Sequence, residues 1–489
     1  MTRIVPDWNG HASPFRHTFA PVGNIDQFRW LVRADVRRHL EMARDELGVR
    51  QVRACAMYSP EMRVWGHPLA QWRTPAAERT PRANWQNVDG CLEWLVEAGL
   101  KPIYTTCFTP DHLTDGTVRC WPDRNNCSMP RDPAAWGAFV ADGLRHHVQR
   151  FGLAEVRSWL FECWNEPNLR GAFFSGDRDE FFALWSATWR AVKSVHPDLR
   201  LGGPSTARGE WLEEFLDWTA RDGTPPDYLI SHVYNNDSEG APCSPFDGPA
   251  SHRVKDSPHF AAGVVRGVRR MLDARGWRGP VHWNEWGRSW FPHDLGRETA
   301  LDAAFIAKTM GEVSQDADAF AYWCLSDVYD QVGFQGSEFE GNYGMLSLHG
   351  LRKPAWNAHR MLRMLGGERL PASAEAGTGV LATPSEGRLA VLVWRYPADG
   401  DDGSPISIDL PAHGTARLLR IGAEENNVTA RWRALGSPAY PDAAVLADLR
   451  RHDDLQPASD LLLSEADGRR TATFTLERPG AALLLVQGV

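Results

Sequence analysis

Two glutamates stand where acid–base chemistry is possible. Glu166 lies in the run Phe161-Glu162-Cys163-Trp164-Asn165-Glu166-Pro167-Asn168, and Glu285 in Asn284-Glu285-Trp286. Each closes a short β-rich run, 156–164 and 281–286. Two opposed carboxyls can open an acetal. One stays protonated and gives its proton to the leaving oxygen, while the other attacks the anomeric carbon. A single Glu at a strand end is just as readily half of a salt bridge, so the neighbours decide. Asn165 puts an amide beside the acid, able to hold a hydroxyl, and Pro167 forces the chain to turn directly after it. Another β-rich run ends in Ser231-His232-Val233-Tyr234. There, His232, beside Tyr234, is placed to orient Glu285 or a sugar hydroxyl. A last one carries Tyr322-Trp323 and then Asp327, with Trp323 a floor under a flat ring. Glu162 points inward but deeper and reads as a structural partner. The pair His146-His147 sits mid-helix and reads as surface or packing.

These residues need a scaffold that gathers strand ends. β-type runs occur at 18–23, 49–57, 102–108, 156–164, 199–203, 228–234, 281–286 and 319–325. Helical periodicity separates most of them, at 87–98, 133–150, 178–196, 209–221, 260–275 and 297–313, and again follows at 353–365. Strand–helix alternation on this scale predicts a (β/α)8 TIM barrel over 15–365, an α/β fold whose chemistry sits at the C-terminal strand ends. Glu166 and Glu285 then close the fourth and seventh strands and face one another. An open doubly wound sheet is the alternative, but no Gly-rich dinucleotide turn follows the early strands. After the Gly366-Gly367 pair, short β runs at 389–393, 406–410, 416–421, 472–476 and 481–486 predict a C-terminal antiparallel β-sandwich domain over 366–489.

Composition narrows the partners. The chain has 489 residues and a net charge of −9, which disfavours nucleic acid and anionic membrane surfaces. No apolar stretch is long enough to span a bilayer. No basic start is followed by an apolar run, so a cytoplasmic protein is expected. The 22 Trp raise the prior for a ligand with flat C–H faces, such as a sugar, although most of them should be core. The eight Cys show no metal-binding spacing. Cys120 and Cys127 could close a loop, but free thiols fit the expected compartment better. The three Asn-X-Ser/Thr matches, at Asn126, Asn236 and Asn427, carry little meaning there. Neither a metal nor an organic cofactor is needed for two-carboxyl chemistry. Nothing in the sequence sets the oligomeric state.

The run Phe161 to Leu169 closely resembles the acid/base segment of glycoside hydrolase family 39, which includes β-xylosidases and α-L-iduronidases. The stretch Asp227 to Tyr234 resembles its sixth-strand motif, and Ala321-Tyr322-Trp323-Cys324-Leu325-Ser326-Asp327 its eighth. Gly344-Met345-Leu346-Ser347-Leu348, Lys353-Pro354-Ala355 and the C-terminal stretch with Asn427, Trp432, Gly436 and Pro438 also fit. The resemblance implies Glu166 as acid/base and Glu285 as nucleophile. It implies substrate contacts from Asn165, His232, Tyr234 and Trp323, and a hydrophobic wall from Phe108. It also implies a β-sandwich that residues 1–14 help to complete. Two places depart from the family pattern. Ala54-Cys55 stands where many family xylosidases have a histidine, and Asp330-Gln331 where a Glu-Glu pair is frequent. Both places touch sugar hydroxyls, so Cys55, Asp330 and Gln331 join the substrate-binding set. The implied activity is a retaining exo-β-D-xylosidase acting on xylo-oligosaccharides or related glycosides. The rivals are an α-L-arabinosidase, an iduronidase-like enzyme (with Arg288 a candidate for holding the uronate) and a non-catalytic carbohydrate-binding barrel.

Overall fold

Eight parallel strands form the centre of the molecule: β1 Val22–Gln27, β2 Gln51–Cys55, β3 Lys101–Thr106, β4 Leu160–Cys163, β5 Leu201–Ala207, β6 Tyr228–Tyr234, β7 Val281–Gly287 and β8 Ala319–Tyr322. This computed structural model describes every residue except 9, 121–123, 240–256, 376, 397–402, 412, 467–468 and 489. Each strand pairs in parallel with the next in sequence. The two edges are drawn together where Phe320 N–H donates to Thr18 O and Leu325 N–H to Asn24 O, each at 2.8 Å. The Asn24 side chain adds to this closure, donating to Asn284 O at 2.7 Å and to Tyr322 O at 3.0 Å.

Strand periodicity explains why the barrel is apolar below and polar above. Val22, Ile103, Leu160 and Ile230 belong to one buried cluster. Two residues further along the same strands, and so on the same face, come Asn24, Thr105, Glu162 and His232. The inward face therefore turns from hydrocarbon to hydrogen-bonding groups toward the C-terminal strand ends. A helix follows each strand: α1 Ala34–Met42, α2 Gln86–Glu97, α3 Pro133–Phe151, α4 Arg178–Val195, α5 Leu212–Asp222, α6 Phe260–Ala274, α7 Ala300–Val313 and α8 Pro354–Arg363. Their starts are coded locally. Asp132 accepts from Ala134 N–H ahead of Pro133, and Asp177 and Glu180 form a capping box at α4.

The C-terminal region packs two sheets over a separate core that includes Ile4, Val391, Ile406, Ile408, Phe474 and Leu484. Strands Gly379–Ser385, Arg388–Arg395, Gly480–Gln487 and Thr415–Ile421 make one antiparallel sheet. The other holds Ile406–Leu410, Arg469–Phe474 and Leu462–Ala466, and the N-terminal strand Thr2–Pro6 lies beside Ile406–Leu410. That last pairing is parallel, so the sheet is mixed rather than wholly antiparallel. Two helices, α9 Val428–Ala434 and α10 Ala443–His452, also stand where only strands were expected. Cys120 and Cys127 are both free thiols, while Cys243 lies outside the described residues.

Lys353, at the start of α8, is fully buried between two carboxylates, with Nζ 2.8 Å from Glu298 Oε1 and 2.6 Å from Asp327 Oδ2. Burial pushes Asp327 up to about 7, with Lys353 opposing the rise. Replacing the cation with a neutral chain would strand both acids. Lys353→Met is expected to lower unfolding stability by about 3–5 kcal/mol, measured by urea titration. A loss under about 1 kcal/mol would mean that the acids find other partners or take up protons.

Candidate active site

Arg53, on β2, organises the polar end of the barrel. Its Nε donates to Glu162 Oε2 and its Nη2 to Glu162 Oε1, both at 2.8 Å. Nη2 also reaches Asn165 Oδ1 and Nη1 reaches Glu285 Oε1, both at 2.7 Å. The guanidinium is wholly buried, and its flat face lies 5.8 Å from the Trp323 ring centre. Glu162 completes its own coordination with Ser205 Oγ at 2.6 Å and Asn284 Nδ2 at 2.7 Å. Strands β2, β4, β5 and β7 are thus fixed to one another by a single charge cluster. The sequence reading placed Glu162 as a structural partner but overlooked Arg53. The available signal was its spacing two residues before Cys55, which puts both on the inward face.

Glu166 sits on a tight turn after β4. Trp164 has φ 67° and Glu166 φ 44°, both left-handed and strained for residues with a Cβ. The turn is held by Glu166 N–H donating to Ser205 O at 2.8 Å. Asn168 holds it too, accepting from Ala207 N–H at 2.9 Å and donating to Ala207 O at 3.1 Å. Glu285 arrives from β7. One oxygen of Glu166, one of Glu285 and one ring nitrogen of His232 all lie within 4.8 Å of one another.

The two carboxyls are not equivalent. Glu285 accepts from Arg53 at 2.7 Å and from the Tyr234 hydroxyl at 3.0 Å. The side-chain hydrogen bond of Glu166 is to His232 Nδ1, at 2.9 Å. Burial pushes Glu166 up to about 7, with Arg53 and Arg208 opposing. Burial leaves Glu285 raised as well, with the Arg53 guanidinium opposing the rise. The charged form therefore belongs on Glu285, where two donors meet it, and the proton on Glu166. Burial, rather than the charge of Glu285, is the leading cause of the rise at Glu166. His232 is held neutral, pushed down to about 4 by burial. It was expected to orient Glu285 or a sugar hydroxyl; its shorter contact is with Glu166, and Glu285 Oε2 is 3.6 Å away.

A cavity of about 640 Å³ opens above this pair. Cys55, Phe108, Asn165, Tyr234, Trp323 and Gln331 all line it, together with both glutamates. Cys55 Sγ is 3.5 Å from Asn165 Oδ1. Gln331 is fixed from both ends, accepting from the Tyr329 hydroxyl at 2.5 Å and donating to Cys120 Sγ at 3.1 Å. Three residues of the sequence reading fall outside the lining: Asp330, Arg288 and His232, which is buried behind Glu166. Asp330 pairs with Arg29, and Arg288 is held by Asp294 at 2.6 Å with Asp302 at 3.6 Å. The lining also includes residues that the sequence reading did not name: Asp26, Arg208, Tyr329 and Tyr343, and the aromatic pair Trp290 and Phe291. Apart from Asp26 on β1, they come from loops, where no periodicity marks a side chain as inward.

Glu166, His232 and Glu285 also present three potential metal ligands, but the Arg53 guanidinium on Glu285 puts a fixed positive charge where a cation would bind. Asp89, His146 and His147 make a second such group, between α2 and α3. There Asp89 bridges the two rings, 2.8 Å from His146 Nε2 and 3.4 Å from His147 Nδ1. His147 is buried against Trp85, Tyr104 and Trp159, so the pair serves packing.

A parallel (β/α)8 barrel bearing two opposed carboxyls at its C-terminal strand ends defines a barrel-type glycoside hydrolase. The chain belongs to Glycosyl hydrolases family 39, whose model matches residues 16–468. It is 28% identical over 434 residues to a beta-xylosidase of Caldicellulosiruptor saccharolyticus, covering 87% of this chain and 86% of that one. It is 25% identical to the human alpha-L-iduronidase over 460 residues, covering 82% and 66%. The crystal structure of a monomeric beta-xylosidase from Caulobacter crescentus CB15 superimposes with a TM-score of 0.84 at 25% identity, covering all of both chains. No helix among the described residues is long and apolar enough to cross a membrane.

Removing Arg53 would leave Glu162 and Glu285 buried without their shared counter-charge. Arg53→Met is expected to cost about 3–5 kcal/mol of stability by urea unfolding. Adding Glu162→Gln should return part of that loss, because the stranded charge is removed; a double variant no better than the single would mean that packing, rather than charge, sets the cost.

Proposed function

We propose that the protein is a retaining exo-β-D-xylosidase. The carrying observation is the asymmetry of the glutamate pair: Glu285 accepts from two donors, Arg53 and Tyr234, whereas Glu166 meets the His232 ring and is raised to about 7. Their nearest approach, within 4.8 Å, fits the roughly 5–5.5 Å carboxyl separation of retaining enzymes and not the roughly 6.5–9.5 Å of inverting ones. The similarity to beta-xylosidases supports the sugar.

In the first step a Glu285 oxygen bonds to the anomeric carbon. The glycosidic C–O bond breaks, its electron pair goes to the leaving oxygen, and that oxygen takes the Glu166 proton. The ester on Glu285 is neutral, which eases ionisation of Glu166. In the second step a water gives one proton to Glu166 while its oxygen bonds to the anomeric carbon and expels the Glu285 carboxylate. Tyr234, by donating to Glu285 Oε2, keeps the attacking carboxylate aligned. Trp323 at the end of β8 offers a face for the ring, and Asn165 an amide for a hydroxyl.

The pH dependence follows from the sign of each shift. Activity needs protonated Glu166, so kcat/KM should fall as pH rises through about 7. It also needs ionised Glu285, so activity is lost on the acid side as that group takes up its proton. Glu166→Ala should remove the alkaline limb and lower kcat by about 10²–10⁴-fold on poor leaving groups. Azide should restore turnover on activated substrates. Glu285→Gln should be nearly inactive, and a 2-fluoroxyloside should label Glu285 in the wild type. Retention of near-wild-type turnover in Glu285→Gln would sink the mechanism. Initial rates on nitrophenyl β-xyloside, both α-L-arabinosides, β-glucoside, β-galactoside and an α-L-iduronide test the sugar; a dominant rate on any but the xyloside overturns it.

A further inference from the structure

Two arginines line the cavity on the side of the proton donor. Arg170 lies on the same loop as Glu166, and Arg208 directly follows β5. Hydrogen bonds set Arg208 beside the Glu166 turn. Its N–H donates to His232 O at 2.8 Å, and the His232 ring meets Glu166. Its Nε donates to Glu210 Oε1 at 2.8 Å, while Glu210 Oε2 accepts from Asn168 Nδ2 at 3.0 Å. Arg208 also has φ 63°, a left-handed conformation strained for a residue with a Cβ. Its charge reaches Glu166, where it opposes the rise that burial causes. In the reading above, Glu166 protonates the leaving oxygen, so the departing group lies on this side of the site.

Holding the loops uses only one nitrogen of each guanidinium. Arg208 spends Nε on Glu210, and Arg170 spends Nε on Ser175 O at 3.3 Å. The Nη groups of both make no hydrogen bond among the described residues, and Arg170 pairs with no carboxylate there. The neighbouring acids do not cancel the two charges. Both oxygens of Glu210 are engaged. Asp237 accepts from Tyr234 N–H at 2.8 Å, and burial pushes it up to about 7, with that N–H and Arg208 opposing. Glu166 carries its proton when substrate arrives. The Arg208 side chain is only 26% exposed, so solvent screens its charge less than at an open surface. A guanidinium fork with unspent N–H groups is matched best by a carboxylate, whose two oxygens accept in parallel.

We propose that Arg208, together with Arg170, forms a carboxylate-binding subsite for the leaving group. The preferred substrates are then xylosides whose departing alcohol bears a carboxylate, a uronate or an aryl acid, over their neutral counterparts. The proposal rests on the xylosidase reading and deepens it. Arg208 is the principal specificity-determining residue, because its charge is the better shielded of the two.

The test compares substrates in pairs that differ only in charge. One pair is para-carboxymethylphenyl β-D-xyloside and its carboxamide, in which the methylene keeps the acidity of the leaving phenol nearly equal. The other is the β-D-xyloside of glucuronic acid and that of glucose, joined at the same hydroxyl. In at least one pair the acid should have a kcat/KM about tenfold above its neutral partner, and the pair that does identifies the source of the carboxylate. Arg208→Gln should lower that ratio by about fivefold, Arg170→Gln by less, and added salt should lower it in the wild type. The ratio is the readout because it cancels any general loss of activity, including a change at Glu166. Ratios near one in both pairs, or a ratio unmoved by Arg208→Gln, overturn the proposal. If no xyloside turns over, the sugar assignment has failed rather than this one. Calorimetry with free para-hydroxyphenylacetate and its amide then decides: tighter binding of the acid, weakened in Arg208→Gln, supports the subsite, and equal or absent binding overturns it.

Discussion

The site depends on a cation placed where water cannot reach it. Arg53 satisfies Glu162 through both oxygens while also reaching Glu285 and Asn165. A buried guanidinium is costly to desolvate and is tolerated only when its donors are matched by acceptors of fixed geometry. The same bonds tie the end of β2 to β4, its following turn and β7, and Ser205 joins β5 to the cluster through Glu162. Stability and site geometry are therefore one problem here: Glu285 and Asn165, to which the proposed reaction assigns roles, help Glu162 to compensate the buried charge.

The division of labour between two chemically identical acids follows from this arrangement. Glu285 lies within reach of Arg53 and the Tyr234 hydroxyl, so its ionised form is solvated by the protein. Glu166, one strained turn beyond β4, meets a ring that burial keeps neutral. His232 links the two environments. It contacts Glu166 through Nδ1, and its Nε2 lies 3.4 Å from Ser205 Oγ, itself a donor to Glu162. A chain of hydrogen bonds thus runs from the acid back to the structural carboxylate under Arg53.

Much of this was legible in the residues, and the misses have physical causes. The fourth, sixth and seventh strands were readable because their apolar runs end in polar clusters at a barrel mouth. The first strand was expected at 18–23 but is Val22–Gln27, since Asn24, Asp26 and Gln27 look like a turn by composition and are buried only because the barrel closes over them. The fifth was expected to stop at Gly203 but continues through Pro204 to Ala207, as a parallel strand tolerates a residue without an N–H where pairing is already irregular. The helix Ala34–Met42 went unseen because charges crowd a segment of which only Val36, His39 and Leu40 are buried. At the site, the polar clusters that close the apolar runs were found, whereas Arg53 and Asp26 inside strands and the loop residues Trp290, Phe291, Tyr329 and Tyr343 were not. Asp330 illustrates the limit: its neighbour Gln331 faces the cavity, while Asp330 turns to Arg29.

The N-terminal strand carries a consequence for biogenesis. Ile4 pairs with Ile408, so its partner leaves the ribosome roughly 400 residues later, which at about 5–20 residues per second means roughly 20–80 s. During that interval the apolar side of Thr2–Pro6 has no sheet to join, while the barrel, whose strands pair in order of synthesis, can assemble. Tethered translation intermediates should therefore hold a formed barrel beside an unsatisfied leading segment, and that segment is the natural place for a holdase to act.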